Sequence, residues 1–512
     1  MVDILDRIVE DRRADLKRLG PTLGVSVPEQ RNRGVVGFLQ EKGAIFEIKR
    51  ASPSKGPIAM DLDPMATVRA YASAGVQNIS VLTEGRYFKG SLADLIALST
   101  AFPNLAFLRK DFILESREIG VSYRAGADAV LLIARLLPSE LLSDMVRECG
   151  RFGLTPLVEV RDSRDLEKLK GLPPGIRTIT GVNARDLATF TVDPLVPAGL
   201  IDRIQGPAVY ESGIGNPGMA AFAGKLGFTG ILVGEGVVKE SSQGPALVAA
   251  FKNASYDGVG RFWRAVGRRR MEKNGTAGET TAPQGPPRNR PLVKICGLTI
   301  REDVQLSMDL GADLLGFVFA ESKRTASVAV VEEARRIRGA DRFPLLVAVL
   351  TELDSALAES AITLARAGVL DGIQWHGEPT KGALDALERA LSDSQGRALA
   401  GRYGALRIGS PEDILRYDSL RKEGEARLLV DSRVPGLAGG TGTAISETYV
   451  PGLAERKGLW LAGGLGPDTI RAALAAYNPE LVDASSRLER EGGRKDPMAL
   501  KLFFQEINTH GA

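Results

Sequence analysis

The chain has 512 residues, 44% of them hydrophobic and 25% charged, and a formal net charge of +3. So small a charge over that length gives no electrostatic case for nucleic acid as the main partner, and no apolar run approaches the ~20 residues of a membrane span. Two cysteines without motif spacing exclude a disulfide framework and a zinc site, and the length calls for more than one domain of roughly 100–250 residues.

The N-terminal stretch MVDILDRIVEDRRADLKRLG is charged and amphipathic, which predicts a helix over 3–18. It lacks the apolar core of a secretory signal, so the cytoplasm is the expected compartment. Short β-rich runs then recur: AIFEIKR (44–50), NISVLTE (78–84), LAFLRKD (105–111), AVLLIA (129–134), TPLVEV (155–160), TITGVNA (178–184), AVYES (208–212) and GILVGEG (230–236). Mostly helical stretches such as DPMATVRAYASAG (63–75) separate them. The segment GRRRMEKNGTAGETTAPQGPPRNRP (267–291) is polar, rich in Gly, Pro and Thr and without apolar periodicity, so it reads as a linker. Its RRR reads as a solvated helix end rather than a nucleic-acid contact, since no aromatic residue interleaves with it.

The rhythm resumes beyond it with LVKICGL (292–298), LLGFVFA (314–320), LLVAVLT (345–351), GIQWHG (372–377), GALRIG (404–409), RLLVDS (427–432), LWLAGG (459–464) and LVDASS (481–486). Strands alternating with helices predict right-handed βαβ units and a parallel sheet. Eight such units in each half match the size of a closed (β/α)8 barrel. The expected fold is therefore α/β, with two tandem TIM barrels and an extra N-terminal helix on the first. The expected domains are 1–266 and 291–512, with a linker at 267–290.

Active sites of such barrels lie at the C-terminal ends of the strands, where charges need a reason. The first half places Glu47, Lys49, Lys110, Glu159, Asn183 and Glu211 there. Acids and lysines converging on one mouth shift each other's pKa values, as acid–base catalysis requires. RASPSKGP (50–57), with Ser52, can hold an anion, and so can the glycine loops ESGIGNPG (211–218) and VGEG (233–236). Gly213, Gly215 and Gly218 also spell G-x-G-x-x-G, with Glu235 beyond. Pro217 inside that motif and the six strand–helix units before it speak against a dinucleotide site.

The second half places Cys296 at the end of strand 1, Arg324 after strand 2, His376 after strand 4 and Asp431 in strand 6. Glycine loops follow strand 6 (GGTG, 439–442) and strand 7 (AGGLGP, 462–467), and the latter offers a phosphate seat together with DASSR (483–487), which ends strand 8. Cys296 alone would read as a small buried hydrophobe. Opposite Asp431 it becomes half of a pair able to take up one proton and give another. A Schiff-base aldolase using Lys49 or Lys110, and a non-catalytic second barrel, are the competing readings.

These segments carry a resemblance. FEIKRASPSKG, SVLTEGRYFKGS, LRKDFIL, LVEV, GVNARDL, VYESGI and LVGEGVV resemble indole-3-glycerol-phosphate synthase. VKICGLT, GFVFAESKRTAS, IQWHGE, LLVDS with GGTG, LAGGLGPDTI, and DASSRLE with GRKD resemble phosphoribosylanthranilate isomerase. In this order they are similar to the fused bifunctional enzyme of tryptophan biosynthesis. The resemblance implies that the second barrel carries out an Amadori rearrangement of N-(5-phosphoribosyl)anthranilate, with Cys296 as base and Asp431 as acid. Arg324 would then hold the carboxylate, His376 would contact the substrate, and Gly463, Gly464, Ser485 and Ser486 would help seat the phosphate. It also implies that the first barrel closes the indole ring with loss of CO2 and water. Lys110 would be the general acid there, with Glu47 and Glu159 as further proton-transfer groups. Lys49 and Arg185 would meet the substrate carboxylate, Asn183 and Glu211 would orient hydroxyls, Ser212, Gly213, Gly234 and Glu235 would line the phosphate loop, and Phe88 and Phe112 would wall the aromatic ring. No cofactor or metal is implied, and the partners are small phosphorylated anthranilates for a monomeric enzyme. The sequence departs from the family patterns at Phe46, Trp375, TAISETYV (443–450) and Arg487.

Overall fold

The structure is a computed structural model. It describes residues 4–53, 55–186, 189–234, 243–274, 290–432 and 450–510. The chain divides into two compact units, Met1–Ser255 and Tyr256–Ala512.

In the first unit the strands are β1 (Gly43–Ile48), β2 (Asn78–Leu82), β3 (Ala106–Lys110), β4 (Ala129–Ile133), β5 (Thr155–Val160), β6 (Ile179–Asn183), β7 (Ala208–Glu211) and β8 (Gly230–Val233). They close into one barrel, each paired in parallel with its neighbours in chain order and β8 returning to β1. Helices cover the outside, so the strands are buried on both faces and read as near-continuous apolar runs. Short polar residues start several of those helices by accepting an otherwise unmet backbone N–H: Asp63, Ser91, Asp162 and Asn216.

The opening helix, Ile4–Leu19, is extra to the eight units. It buries Leu5, Ile8 and Leu16 and also Arg12. The Arg12 guanidinium lies 2.5 Å from Glu118 and 3.3 Å from Asp111, and Arg109 meets the same Asp111 at 3.1 Å. Asp111 directly follows Lys110, so this fully buried ion-pair cluster holds the helix against the end of β3.

The second unit repeats the architecture with β9 (Leu292–Cys296), β10 (Leu314–Val318), β11 (Leu345–Leu350), β12 (Gly372–Trp375), β13 (Gly401–Ile408), β14 (Leu428–Ser432), β15 (Trp460–Leu461) and β16 (Leu481–Ala484). These also form a closed parallel barrel, with β9 paired to β16. Ser327, Ser355 and Thr380 cap helices on its outside. No described helix of either unit is long and apolar enough to cross a membrane.

The expected boundary at 266 falls inside a continuous helix, Gly258–Asn274, that packs entirely in the second unit. Its apolar half supplies Phe262, Trp263 and Val266, all buried. Phe262 fills the space left by two glycines, so that a Cβ on Gly401 would sit 2.3 Å from Phe262 Cβ. Gly372 and Gly401 open β12 and β13, so the helix closes the N-terminal end of the barrel, away from the strand ends that carry chemistry. Phe262 stacks on Tyr403 at 6.0 Å, and Trp263 lies 5.5 Å from Trp460. The RRR that reads as a solvated helix end is instead partly engaged: Arg269 pairs with buried Asp313 at 2.7 Å and Arg270 with buried Glu480 at 2.5 Å. Polarity concealed this, because the partners of both arginines lie far off in sequence. The rest of the expected linker, 275–289, lies outside the described residues.

Phe262→Ala removes the side chain that fills the space over Gly372 and Gly401. It should cost the second unit about 3–5 kcal/mol, read as an earlier transition in denaturant, as for other buried aromatic truncations. An unchanged transition would mean that the helix does not close the barrel.

Candidate active sites at two barrel mouths

Parallel register decides which first-barrel side chains can meet. Leu82 pairs with Lys110, Glu159 with Gly181, and Asn183 with Glu211. Lys110 Nζ donates to Glu211 Oε2 at 2.9 Å and lies 3.8 Å from Glu47 Oε2. Glu47 Oε1 in turn stands 3.6 Å from Lys49 Nζ. Burial favours the neutral amine of Lys110, but the charges of Glu211, of Glu47 and, once it ionises, of Glu159 outweigh it and hold the ammonium well above its ordinary range.

Glu159 goes the other way. Burial first, and then the nearby Glu211 carboxylate, push its pKa up to about 8 against the pull of Lys110 and a hydrogen bond with Asn183. Glu159 therefore carries a proton at neutral pH. It lies within hydrogen-bonding reach of Glu211, whose buried Oε1 receives no bond from any other group. Gly181 makes this possible: a Cβ there would fall 1.9 Å from Glu211 Oε1. The reading of TITGVNA as a strand identifies Asn183, but nothing in it marks Gly181 as the space for a carboxylate.

Phe88 and Phe112 stand with ring centroids 6.2 Å apart, and Lys49 Nζ lies 5.8 Å from the Phe88 ring. Ser52 is buried in the loop after β1. Arg185 follows β6, where its backbone N–H donates to Asn183 Oδ1 and its guanidinium to the Phe190 carbonyl. Ser212 and Gly213 both take positive φ after β7, at 68° and 78°. A Cβ on Gly234 would sit 3.0 Å from Glu47 Oε1, so a glycine here lets the β8 loop pass close to the carboxylate. Glu235 lies outside the described residues. Phe46 faces the helices, edge-on to Tyr71 at 5.0 Å, and not the mouth.

In the second barrel a cavity of about 620 Å³ opens at the strand ends and includes Cys296, Arg324, His376, Asp431, Gly463 and Ser485 in its walls. Gly464 and Ser486 border it as well. His376 Nε2 lies 3.5 Å from Asp431 Oδ2 and, among the described residues, has no closer partner. Gln374 Nε2 and His376 Nδ1 are 3.0 Å apart.

Beneath Cys296 lies a group that sequence reasoning missed. Lys294 shares its strand face two residues earlier and is fully buried. Its register partner across β9 and β16 is Asp483, and its Nζ donates to Asp483 Oδ2 at 2.6 Å and to Gln374 Oε1 at 3.0 Å. Tyr403 donates to the same Gln374 oxygen at 3.0 Å. Burial pushes the Cys296 thiol above its ordinary range, while Lys294, by charge and hydrogen bond, and Lys495, by charge, oppose that rise. Asp483 is likewise raised by burial, and its Oδ1 is buried without a partner. The detectable signal was a lysine alternating with the cysteine in an otherwise apolar strand.

Arg324 is held by Glu489 through two bonds, 2.7 Å from Nε and 3.1 Å from Nη2. Glu489 also receives Lys495 Nζ at 3.0 Å. Gly463 and Gly464 both take positive φ, at 91° and 63°. Trp375 is buried, donates to the Glu378 carbonyl at 3.2 Å and does not line the cavity. Arg487 pairs with exposed Asp468. GGTG (439–442) and 443–449 lie outside the described residues.

Residues 5–248 match the family described as indole-3-glycerol phosphate synthase, and residues 293–506 match N-(5'-phosphoribosyl)anthranilate isomerase. The indole-3-glycerol phosphate synthase of Geobacillus kaustophilus is 37% identical over 260 residues, covering 48% of this chain and 96% of that protein. A tryptophan biosynthesis protein TRP1 of Phytophthora nicotianae is 29% identical, covering 87% of this chain and 88% of that protein. A multifunctional tryptophan biosynthesis protein of Schizosaccharomyces pombe is 29% identical over 91% of this chain, which spans 60% of that longer protein.

The close fit of Glu211 over Gly181 is open to test. Gly181→Ala should displace the carboxylate from Lys110 and destabilise the first unit by about 1–3 kcal/mol, read in urea melts, because the new methyl overpacks a buried site. An unchanged midpoint would place Glu211 elsewhere.

Proposed function

Given that the chain belongs to the indole-3-glycerol phosphate synthase family in its first half and the phosphoribosylanthranilate isomerase family in its second, we propose that it catalyses two consecutive steps of tryptophan biosynthesis. The second barrel acts first. Asp431 protonates the ring oxygen of N-(5-phosphoribosyl)anthranilate, which opens the furanose to a Schiff base. Cys296 then takes the proton from sugar C2, giving an enolamine that settles as the 1-deoxyribulose 5-phosphate ketone. Lys294 and Lys495 lower the cost of the thiolate this requires. His376 and Asp483 line the cavity, and among the described residues His376 Nε2 and Asp483 Oδ1 accept or donate no hydrogen bond, which suits both side chains to sugar hydroxyls. Gly463, Gly464, Ser485 and Ser486 seat the phosphate.

The first barrel takes that ketone. Attack by the aromatic carbon puts negative charge on the ketone oxygen, which the Lys110 ammonium stabilises and protonates. Loss of CO2 restores the aromatic ring. The new hydroxyl must then leave as water, and Glu159 holds the second proton this step needs. Glu47 is placed to remove a proton from the adjacent methylene. Lys49 and Arg185 meet the carboxylate, Phe88 and Phe112 flank the ring, Asn183 and Glu211 orient hydroxyls, and Ser52, Ser212, Gly213, Gly234 and Glu235 serve the phosphate end.

The observation that carries this reading is Lys110 Nζ held 2.9 Å from Glu211 and 3.8 Å from Glu47, with Glu159, whose pKa burial and Glu211 raise, beside them. The same geometry speaks against a Schiff-base aldolase, which needs a neutral amine where the Glu211 and Glu47 carboxylates hold Lys110 charged. The substrates are small soluble anions, in keeping with a cytoplasmic enzyme, and one chain carries both sites, so a monomer suffices.

Cys296→Ala should lower isomerase turnover by ~10²-fold or more and leave ring closure intact, while Lys110→Ala does the reverse. Separate assays of the two reactions on each full-length variant decide it. Loss of both activities in either variant would contradict two independent sites.

A further inference from the structure

The loop after β2 closes on itself and carries Phe88 to the first-barrel mouth, beside Phe112 and Lys49. The Gly90 N–H donates to the Glu84 carbonyl at 2.8 Å and so ties the two ends together. A Cβ on Gly90 would fall 2.1 Å from the Leu82 carbonyl oxygen, so a glycine is what lets the chain return this close.

The Glu84 side chain turns back into its own loop. Its Oε1 accepts the Arg86 N–H at 2.7 Å, and its Oε2 accepts the N–H groups of Tyr87 at 2.7 Å and Phe88 at 2.9 Å. Only 7% of the residue is exposed. Successive backbone N–H groups converging on one point are the arrangement by which a chain binds a free anion. Here the anion is the protein's own, and the bonds are of the stronger, charge-assisted kind. Both oxygens are taken up by backbone donors, which separates Glu84 from the proton-transfer acids Glu47 and Glu159.

The last of the three donors is the backbone of Phe88 itself. Lys89, the next residue, takes φ 57°, a left-handed conformation that persists in a non-glycine residue where its surroundings over-determine it. The loop is also tied from outside. The Tyr87 hydroxyl donates to Asp11 of the opening helix at 2.5 Å, and Arg86 pairs with the same carboxylate.

We propose that Glu84 is a positioning residue of the ring-closing reaction: it holds the Phe88 ring against the aromatic ring of the substrate without touching the substrate. This rests on the functional reading above and deepens it.

Binding of indole-3-glycerol phosphate, the product of ring closure, to the full chain tests this without turnover. Measured by titration calorimetry, Glu84→Ala should raise its Kd ~3–10-fold, the scale of one aromatic contact. Glu84→Gln keeps one acceptor but turns an NH2 group toward the remaining N–H, so its Kd should fall between. Phe88→Ala should match Glu84→Ala. With both substitutions in one chain the Kd should stay within about twofold of either alone, because the two act as one unit. Competition by glycerol 3-phosphate should be the same in every variant, since the phosphate end is assigned to the loops after β1, β7 and β8.

A wild-type Kd in Glu84→Ala, or full additivity of the two substitutions, overturns the proposal. So does loss of glycerol 3-phosphate competition in Glu84→Ala, which would make Glu84 a support of the whole mouth rather than of Phe88. A wild-type chain that binds no indole-3-glycerol phosphate is a distinct result: it overturns the functional reading, and this proposal with it.

Discussion

A charge can be kept at the end of a buried parallel strand only if an opposite charge or a proton meets it there, and both barrels are organised by that constraint. In the first, Lys110 is the common centre: Glu211 binds it directly, Glu47 stands beyond at 3.8 Å, and Glu159 shares the same field. Three acids around one lysine leave the group over-supplied with negative charge. Glu159 relieves the excess by keeping its proton. Acid and cation thus coexist at neutral pH.

The second barrel meets the constraint one layer lower. Lys294 and Asp483 pair across β9 and β16, and Gln374 and Tyr403 complete the polar floor. Cys296 rests on this floor with two ammonium groups near enough to matter. The fold places these groups by register alone: Lys294 and Asp483 are direct partners in the ladder. Closure of the opposite end by Phe262 and Trp263 sets an apolar layer beneath this polar floor, with Phe262 stacked on Tyr403.

Much of this was legible in sequence, for physical reasons. Strand-to-helix rhythm is local, so all sixteen barrel strands and the opening helix could be placed. Strand-end residues such as Lys110, Glu159, Cys296 and Asp431 stood out because charge or sulfur interrupts apolar runs. What depends on distant partners was not legible. The Gly258–Asn274 helix looked half linker because the acids that receive its arginines are about 40 and 210 residues away. Gly181 is an ordinary strand glycine until Glu211 lies over it. The bond between Arg324 and Glu489 was hidden because the two belong to different loops.

The central claim is that Glu159 stores a proton at neutral pH because burial and Glu211 make its charge costly. Difference infrared spectroscopy across pH 5–10, with Glu159→Gln assigning the band, observes this carboxyl directly. The account predicts a protonated C=O stretch that persists through neutrality and titrates near pH 8. A carboxylate already ionised at pH 6 would contradict it.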